Sequence, residues 1–316
     1  MKKLLRNIAL LLLPILLYYG IFIMFEPNNY FGLHKAAAGT DIMAALRNYE
    51  DAPTDALILG DSRLAKFDMQ LVGSIANREY ANLAYGGASL NEQLDILDWA
   101  REQNPQLKQV VFMLSFYNLN QAYAHNRMVI DALNNPFVYL TNLGYNINML
   151  TELAYTITGV PTGGDGETMN PTDYTYVDFT VPATGQTVTI RQKIASHLGD
   201  INERCQNWAL NTGELQRLLQ TIDDCQQQGI EFIIVMPPAH PDTFLYVVNP
   251  YGINGPMQTV LAQLKQSPAL LLNYEFEPLH PLRDDQFYDC FHLDMKRGLP
   301  QWTEELFTDI QNGGQT

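Results

Sequence analysis

The sequence predicts an α/β protein: a three-layer α/β/α sandwich around a mostly parallel sheet, carried behind one N-terminal transmembrane helix. Three observations predict it. Apolar runs such as Asp55–Gly60 (DALILG), Gln109–Ser115 (QVVFMLS) and Glu231–Met236 (EFIIVM) alternate with stretches of helical spacing. These runs are continuously apolar, as strands covered on both faces must be. Ile8–Phe25 is a further run without a single charge.

That N-terminal run sets the expected compartment. As a helix it spans roughly 27 Å, close to a bilayer core. Lys2, Lys3 and Arg6 precede it. Positive charge stays inside, so the main domain is expected outside the cytoplasm, periplasmic or at the cell surface. A cleaved signal would have a shorter apolar region and a nearby small-residue site. Here the only such site, Ala36-Ala37-Ala38, lies well beyond the run, so a retained anchor is the reading. The expected organisation is a cytoplasmic 1–7, an anchor 8–25, a stalk 26–50, and a catalytic domain 51–316 with an insertion at 119–200.

Composition excludes other classes. Of 316 residues, 47% are hydrophobic and 11% aromatic, which is ample for a core and excludes a mostly disordered chain. The net charge is −15, from 34 acidic and 19 basic side chains. Three of the basic ones precede the first acid, Glu26, so the rest is more acidic still. Such a surface repels phosphate backbones, and no nucleic-acid partner is expected. Of three cysteines, Cys205 and Cys225 have a spacing compatible with a bridge across a helical hairpin, leaving Cys290; three separate thiols fit equally.

The elements follow in order. A short helix is expected near Ile42–Tyr49. Asp55–Gly60 is the first strand, ending at a glycine. A helix at Phe67–Ala76 and a second strand at Arg78–Ala84 follow. Ser89 with Glu92 three residues on is a capping-box pattern that opens a helix through Glu102. Gln109–Ser115 is the third strand. Helical segments fill Met128–Leu153, and a Gly/Thr-rich loop covers Gly159–Thr172. A hairpin is expected from Tyr174–Thr180 and Thr187–Arg191, turned at Thr184-Gly185. Leu215, Leu218, Leu219 and Ile222 give Glu214–Gln228 helical spacing. Glu231–Met236 is the fourth strand, stopped by Pro237-Pro238. A helix at Met257–Gln266, a fifth strand at Ala269–Phe276 and a helix at Leu299–Ile310 complete the chain.

Chemistry concentrates where strands end, the edge at which α/β sheets hold ligands. Gly60-Asp61-Ser62-Arg63 directly follows the first strand. A serine at a strand-to-helix turn is exposed, with its N–H near a helix start that favours a developing oxyanion; Ser and Asp are also ordinary helix caps. Asp289-Cys290-Phe291-His292 brings a base and, three residues before it, an acid able to hold its other ring nitrogen. Gly86 and Gly87 follow the second strand and Asn118 follows the third; each can donate to an oxyanion, or simply serve a turn. Arg63 and His240 are candidates for substrate contact, and His280 reads as structural. No metal-ligand cluster or phosphate loop stands out, and no cofactor is expected.

The order Ser, Gly, Asn, Asp and His, each at the same sheet edge, resembles the SGNH (GDSL) hydrolase superfamily over about 55–118 and 230–310. The resemblance implies a flavodoxin-like fold, Ser62 as nucleophile, His292 as base and Asp289 orienting it. It implies an oxyanion hole from the Ser62 and Gly87 N–H groups and the Asn118 side chain, with Gly86 a rival to Gly87. The third block departs from the family's G-x-N-D: it reads Phe116-Tyr117-Asn118-Leu119. An SGNH domain behind one anchor resembles accessory proteins of alginate O-acetylation and teichoic-acid D-alanylation. That likeness implies acyl transfer to a cell-envelope glycan beside a membrane-bound O-acyltransferase. A plain lipid or carbohydrate esterase, and a non-catalytic anchored partner, are the alternatives.

Overall fold

In the computed structural model, the apolar runs become one five-stranded parallel sheet. The structure describes residues 1–26, 28, 30–33, 42–158, 179–180, 187–278 and 282–314. Along the chain lie α1 (Lys2–Phe25), α2 (Ile42–Asp51), β1 (Ala56–Leu59), α3 (Met69–Ala76), β2 (Ala81–Asn82), α4 (Leu90–Gln103), β3 (Gln109–Met113), α5 (Val129–Asn134), α6 (Pro136–Thr141) and α7 (Leu143–Thr158). Then come β4 (Phe179–Thr180), β5 (Thr187–Val188), α8 (Ile190–Cys205), α9 (Thr212–Gln227), β6 (Glu231–Met236), α10 (Pro241–Thr243), α11 (Asn254–Gln266), β7 (Leu270–Asn273) and α12 (Leu299–Gln311).

The chain divides into two compact units, 1–44 with 127–168 and 45–126 with 169–316. In the first, α1 is long and apolar enough to cross a membrane. Just past it, buried Tyr139 of α6 stacks on Tyr30 with ring centres 4.1 Å apart. Its hydroxyl donates to Glu26 at 2.7 Å.

The second unit holds the sheet, in the order β2-β1-β3-β6-β7. Leu57 pairs with both Ala81 and Val110, Val111 with Ile233, and Ile233 with Leu270. β1 and β3 are buried throughout, which is why their sequences carry no polar alternation. The strand order reverses at β1. Right-handed crossovers running in opposite directions put helices on opposite faces. Accordingly α3 packs on α12 and α4 on α9, one pair per face. Phe67 and Tyr80 meet Phe307 in the first of these layers.

Several elements match local signals. Ser89 and Glu92 form the capping box at the start of α4, and Gly229, at φ +73°, closes the turn after α9. Others differ. β2 keeps two residues of the expected seven; it is an edge strand with one neighbour. The hairpin is the two-residue pairing of β4 with β5; its expected turn, and residues 174–178, lie outside the described residues. Arg191 is helical rather than a strand residue, because Thr189 and Gln192 form a capping box that starts α8. Cys205, Cys225 and Cys290 are all buried free thiols, so the bridge that spacing allowed is not made.

Candidate active site

The reversal of strand order between β1 and β3 opens a crevice at their carboxyl ends, and Ser62 follows β1 there. Gly60 is required by close approach: a Cβ at that position would stand 2.9 Å from Met113 Cβ. The helix expected at Phe67–Ala76 is α3, and it starts a few residues beyond Ser62. Residues 62–66 form turns, with the Leu64 and Ala65 N–H groups both donating to Asp61 O, and α3 begins only after the cap at Asp68. Asp61 Oδ1 accepts the Arg63 N–H at 2.9 Å, tightening the turn that leaves Ser62 half-buried.

Ser62 Oγ lies 2.7 Å from His292 Nε2, across 230 residues of chain. His292 Nδ1 lies 2.7 Å from Asp289 Oδ2. Asp289 is buried and set locally: its Oδ1 accepts the N–H groups of Phe291 and His292, each at 2.8 Å. Burial works against its charge, but His292 and His197 outweigh that and hold the carboxyl well below its ordinary range. Asp289 is therefore an acceptor at neutral pH, so the His292 proton sits on Nδ1 and Nε2 accepts from Ser62. The loop is pinned from three sides. Tyr288 N–H donates to His292 O at 2.8 Å, His240 N–H donates to Cys290 O at 2.9 Å, and Thr243 Oγ1 donates to the same carbonyl at 3.2 Å.

The ends of β1 and β3 also meet. Tyr117 Oη donates to Asp61 Oδ2, and the Tyr117 ring stands edge-on to Phe291 at 5.3 Å. Asn118, between Tyr117 and Leu119, is fully buried, and among the described residues its amide N and O have no hydrogen-bond partner. Gly87 adopts φ +65°, which favours glycine. Gly86 has an ordinary φ.

The two candidates for substrate contact are both buried. Arg63 is buried, with ion pairs to Asp61 at 3.6 Å and Glu275 at 3.5 Å and its guanidinium over the Tyr117 and Phe291 rings. Burial opposes its charge, but Tyr117, Asp61 and Glu275 outweigh burial and drive its pKa up. His240 is buried too. It caps α10, its Nδ1 accepting Asp242 N–H at 3.2 Å, and its Nε2 lies 3.4 Å from Asp284. His280 lies outside the described residues.

His197, on α8, was not singled out by sequence reasoning. Its Nδ1 lies 3.1 Å from Asp289 Oδ1 and 3.4 Å from Cys290 Sγ. Burial lowers its pKa, but Asp289 above all raises it, to about 11. The Thr189/Gln192 capping pattern was the available signal for its helix. His197, Asp289 and Cys290 also place three donor atoms of metal-binding type within 4.8 Å, a grouping the sequence did not suggest. Here His197 Nδ1 hydrogen-bonds to Cys290 Sγ and pairs with Asp289 Oδ1.

A cavity of about 290 Å³ opens beyond β6 and β7, lined by Pro241, Phe244, Tyr274, Glu275 and Phe287 among others. A second, of about 340 Å³, lies at the opposite strand ends, around Gly229, Glu231 and Leu270.

No protein-family model matches the chain, and no curated protein matches it. Among solved structures it is similar to a protein provisionally described as a platelet activating factor from Streptococcus pneumonia. That pair shares 10% identity at a TM-score of 0.40, covering 84% of this chain and 90% of that one. It is also similar to a provisionally described acylhydrolase from Bacteroides fragilis NCTC 9343, at 11% identity and a TM-score of 0.37, covering 81% and 86%. Likeness at that level decides nothing about the reaction, which rests on the side chains.

Proposed function

We propose that this chain is an SGNH-type serine esterase or O-acyltransferase. One observation carries the reading: an unbroken hydrogen-bonded series from Ser62 Oγ through both nitrogens of His292 to Asp289 Oδ2, each step 2.7 Å. A serine hydroxyl is a weak nucleophile until a base takes its proton. Here Ser62 Oγ bonds to the ester carbonyl carbon as its proton passes to His292 Nε2. The tetrahedral oxyanion is held by the Ser62 and Gly87 N–H groups and the Asn118 amide. Collapse breaks the ester C–O bond, and His292 returns the proton to the departing alcohol. An acceptor hydroxyl then bonds to the acyl carbon as its proton passes to His292 Nε2, the bond from that carbon to Ser62 Oγ breaks, and His292 returns the proton to Oγ.

The buried Asn118 amide, unpartnered among the described residues, supports its assignment, since an oxyanion donor must be open to the substrate oxygen. The apolar helix α1 supports a membrane-anchored enzyme acting outside the cytoplasm. On that reading the acceptor is a sugar hydroxyl of a cell-envelope glycan or water, and the acyl group arrives from a membrane-bound O-acyltransferase.

The test is fluorophosphonate labelling of the full-length protein in detergent, beside turnover of p-nitrophenyl acetate. Wild type labels and hydrolyses the ester; Ser62→Ala does neither while melting at the same temperature. An unlabelled wild type, or full turnover by Ser62→Ala, refutes the serine mechanism. Offering a sugar alcohol to the acyl-enzyme separates transfer from hydrolysis.

A further inference from the structure

Helix α8 lies outside the two stretches that carry the family resemblance, yet it reaches the proposed catalytic loop at two points one turn apart. Lys193 Nζ stands over the Tyr288 ring at 4.4 Å. His197, four residues on, meets Asp289, Cys290, Phe291 and His292. Residues four apart share a helix face, so α8 presents one face to the loop.

The contact to Asp289 is specific. Asp289 divides its oxygens: Oδ2 faces His292 Nδ1, while Oδ1 takes two backbone N–H groups and His197 Nδ1. An ionised carboxylate only accepts, so His197 Nδ1 carries a proton and donates it. The Cys290 sulfur is then a second, weaker acceptor for the same N–H. The two imidazole rings lie nearly parallel, 16° apart with centres separated by 5.7 Å.

We propose that His197 is a positioning residue for the Ser62–His292–Asp289 series: it anchors Asp289 Oδ1 so that Oδ2 addresses His292, and its charge moderates the field that His292 feels. The inference rests on the serine mechanism proposed above. Its physical content is twofold. The hydrogen bond fixes the carboxylate's rotation. The charge acts as a counterweight. An imidazolium at His197 opposes the formation of a second one at His292, whereas Asp289 favours it. With Asp289 held ionised and His197 cationic, the carboxylate is already neutralised once before His292 takes the serine proton. The base then gives that proton up more readily to the leaving alcohol.

The other groups near His197 do not supply this. Among the described residues, Cys290 faces it as a thiol that burial keeps protonated. Lys193 is one turn away, over Tyr288. From the turn at 244–248 packed along α8, Tyr246 meets the helix by its carbonyl at Asn202, and its ring is exposed.

Full-length wild type, His197→Gln and His197→Ala are compared by fluorophosphonate labelling, thermal melting and the pH dependence of kcat/KM for p-nitrophenyl acetate. Gln keeps a donor for Oδ1 and loses the charge; Ala loses both. Removing a cation beside the base moves the acidic limb of kcat/KM to higher pH, by about one unit in both variants. His197→Gln retains most of the plateau kcat. His197→Ala loses on the order of tenfold or more, with KM little changed, because the carboxylate's aim is lost. A limb that stays within a few tenths of a unit of wild type in His197→Gln overturns the inference. So does an Ala variant with wild-type kcat. If His197→Ala does not fold, the His197→Gln limb alone decides. Failure of the wild type itself to label overturns the serine mechanism and this role with it; a labelled wild type with an unmoved limb overturns only the role of His197.

Discussion

Two carboxyl groups lie buried in the same unit beyond the sheet's carboxyl edge, Asp289 and Glu275, and they end in opposite states. Asp289 meets two backbone N–H groups at 2.8 Å and two imidazoles at 2.7 and 3.1 Å. Burial disfavours its charge, yet the imidazoles win and it is held well below the usual carboxylate range. Glu275 accepts from Ser115 Oγ and from Phe116 N–H at 3.2 Å, and pairs with Arg63 Nη1 at 3.5 Å. There burial wins: despite Arg63 the carboxyl is pushed up to about 7. Arg63 must also serve Asp61, so its charge is divided, whereas Asp289 has two imidazoles against it. Equal burial thus gives a fixed anion in one place and a titrating group in the other. The deciding quantity is the number and closeness of the donors.

The largest break in that comparison is Asp289→Asn. The new side-chain carbonyl can still accept the two backbone N–H groups, so the loop keeps its shape. Its NH₂ then faces His292 Nδ1 and forces the proton onto Nε2, where the base is needed. Turnover of p-nitrophenyl acetate is expected to fall by about 10³–10⁴ in kcat with the melting temperature little changed. A variant retaining a tenth of wild-type kcat would show that Asp289 does not set the tautomer.

Asn118→Ala is the next largest. The buried amide has no partner among the described residues, so its loss removes an unsatisfied polar group together with a donor. If it serves the oxyanion, kcat falls about 10²–10³-fold. KM should move little, because the interaction forms only in the transition state. An unchanged kcat takes Asn118 out of the oxyanion hole.

The pattern of what was legible in the sequence follows from the range of the interactions. β1, β3 and β6 are readable because burial on both faces leaves a continuous apolar run. β2 is an edge strand, and its flanks Arg78 and Glu79 already belong to the surface side of the turn, so its true extent leaves little trace. The pair Asp289 and His292 is readable because its geometry is local, a carboxylate three residues before a ring. Ser62 is readable from its place after a strand. His197 and Glu275 are not. Their partners lie 92 and 212 residues away in the chain, and no spacing rule spans a fold. The surroundings of Arg63 were hidden for a related reason: Glu275, which it meets, lies 212 residues away, and only the fold supplies it.

The smallest expected effect sharpens the comparison most, because it reads the two carboxyls by opposite signs. A carboxyl whose folded pKa lies above its unfolded value binds a proton more readily in the native state, so stability falls as pH rises between the two values. For Glu275 that window runs from about 4.3, the unfolded value, to about 7. Asp289 is depressed, so its contribution is present above about 3.9 and is lost only as pH falls toward its lower folded value. Between pH 4.3 and 7 Asp289 is therefore silent and Glu275 tilts the curve downward. Urea melts of wild type and Glu275→Gln across that range isolate the tilt. Wild type is expected to lose on the order of 2–3 kcal/mol from pH 4.3 to 7 relative to the variant, whose curve is flatter. Whatever the variant's absolute stability, the difference in slope is the measured quantity. Parallel curves would mean that Arg63 keeps Glu275 ionised throughout, and that the two buried carboxyls are alike after all.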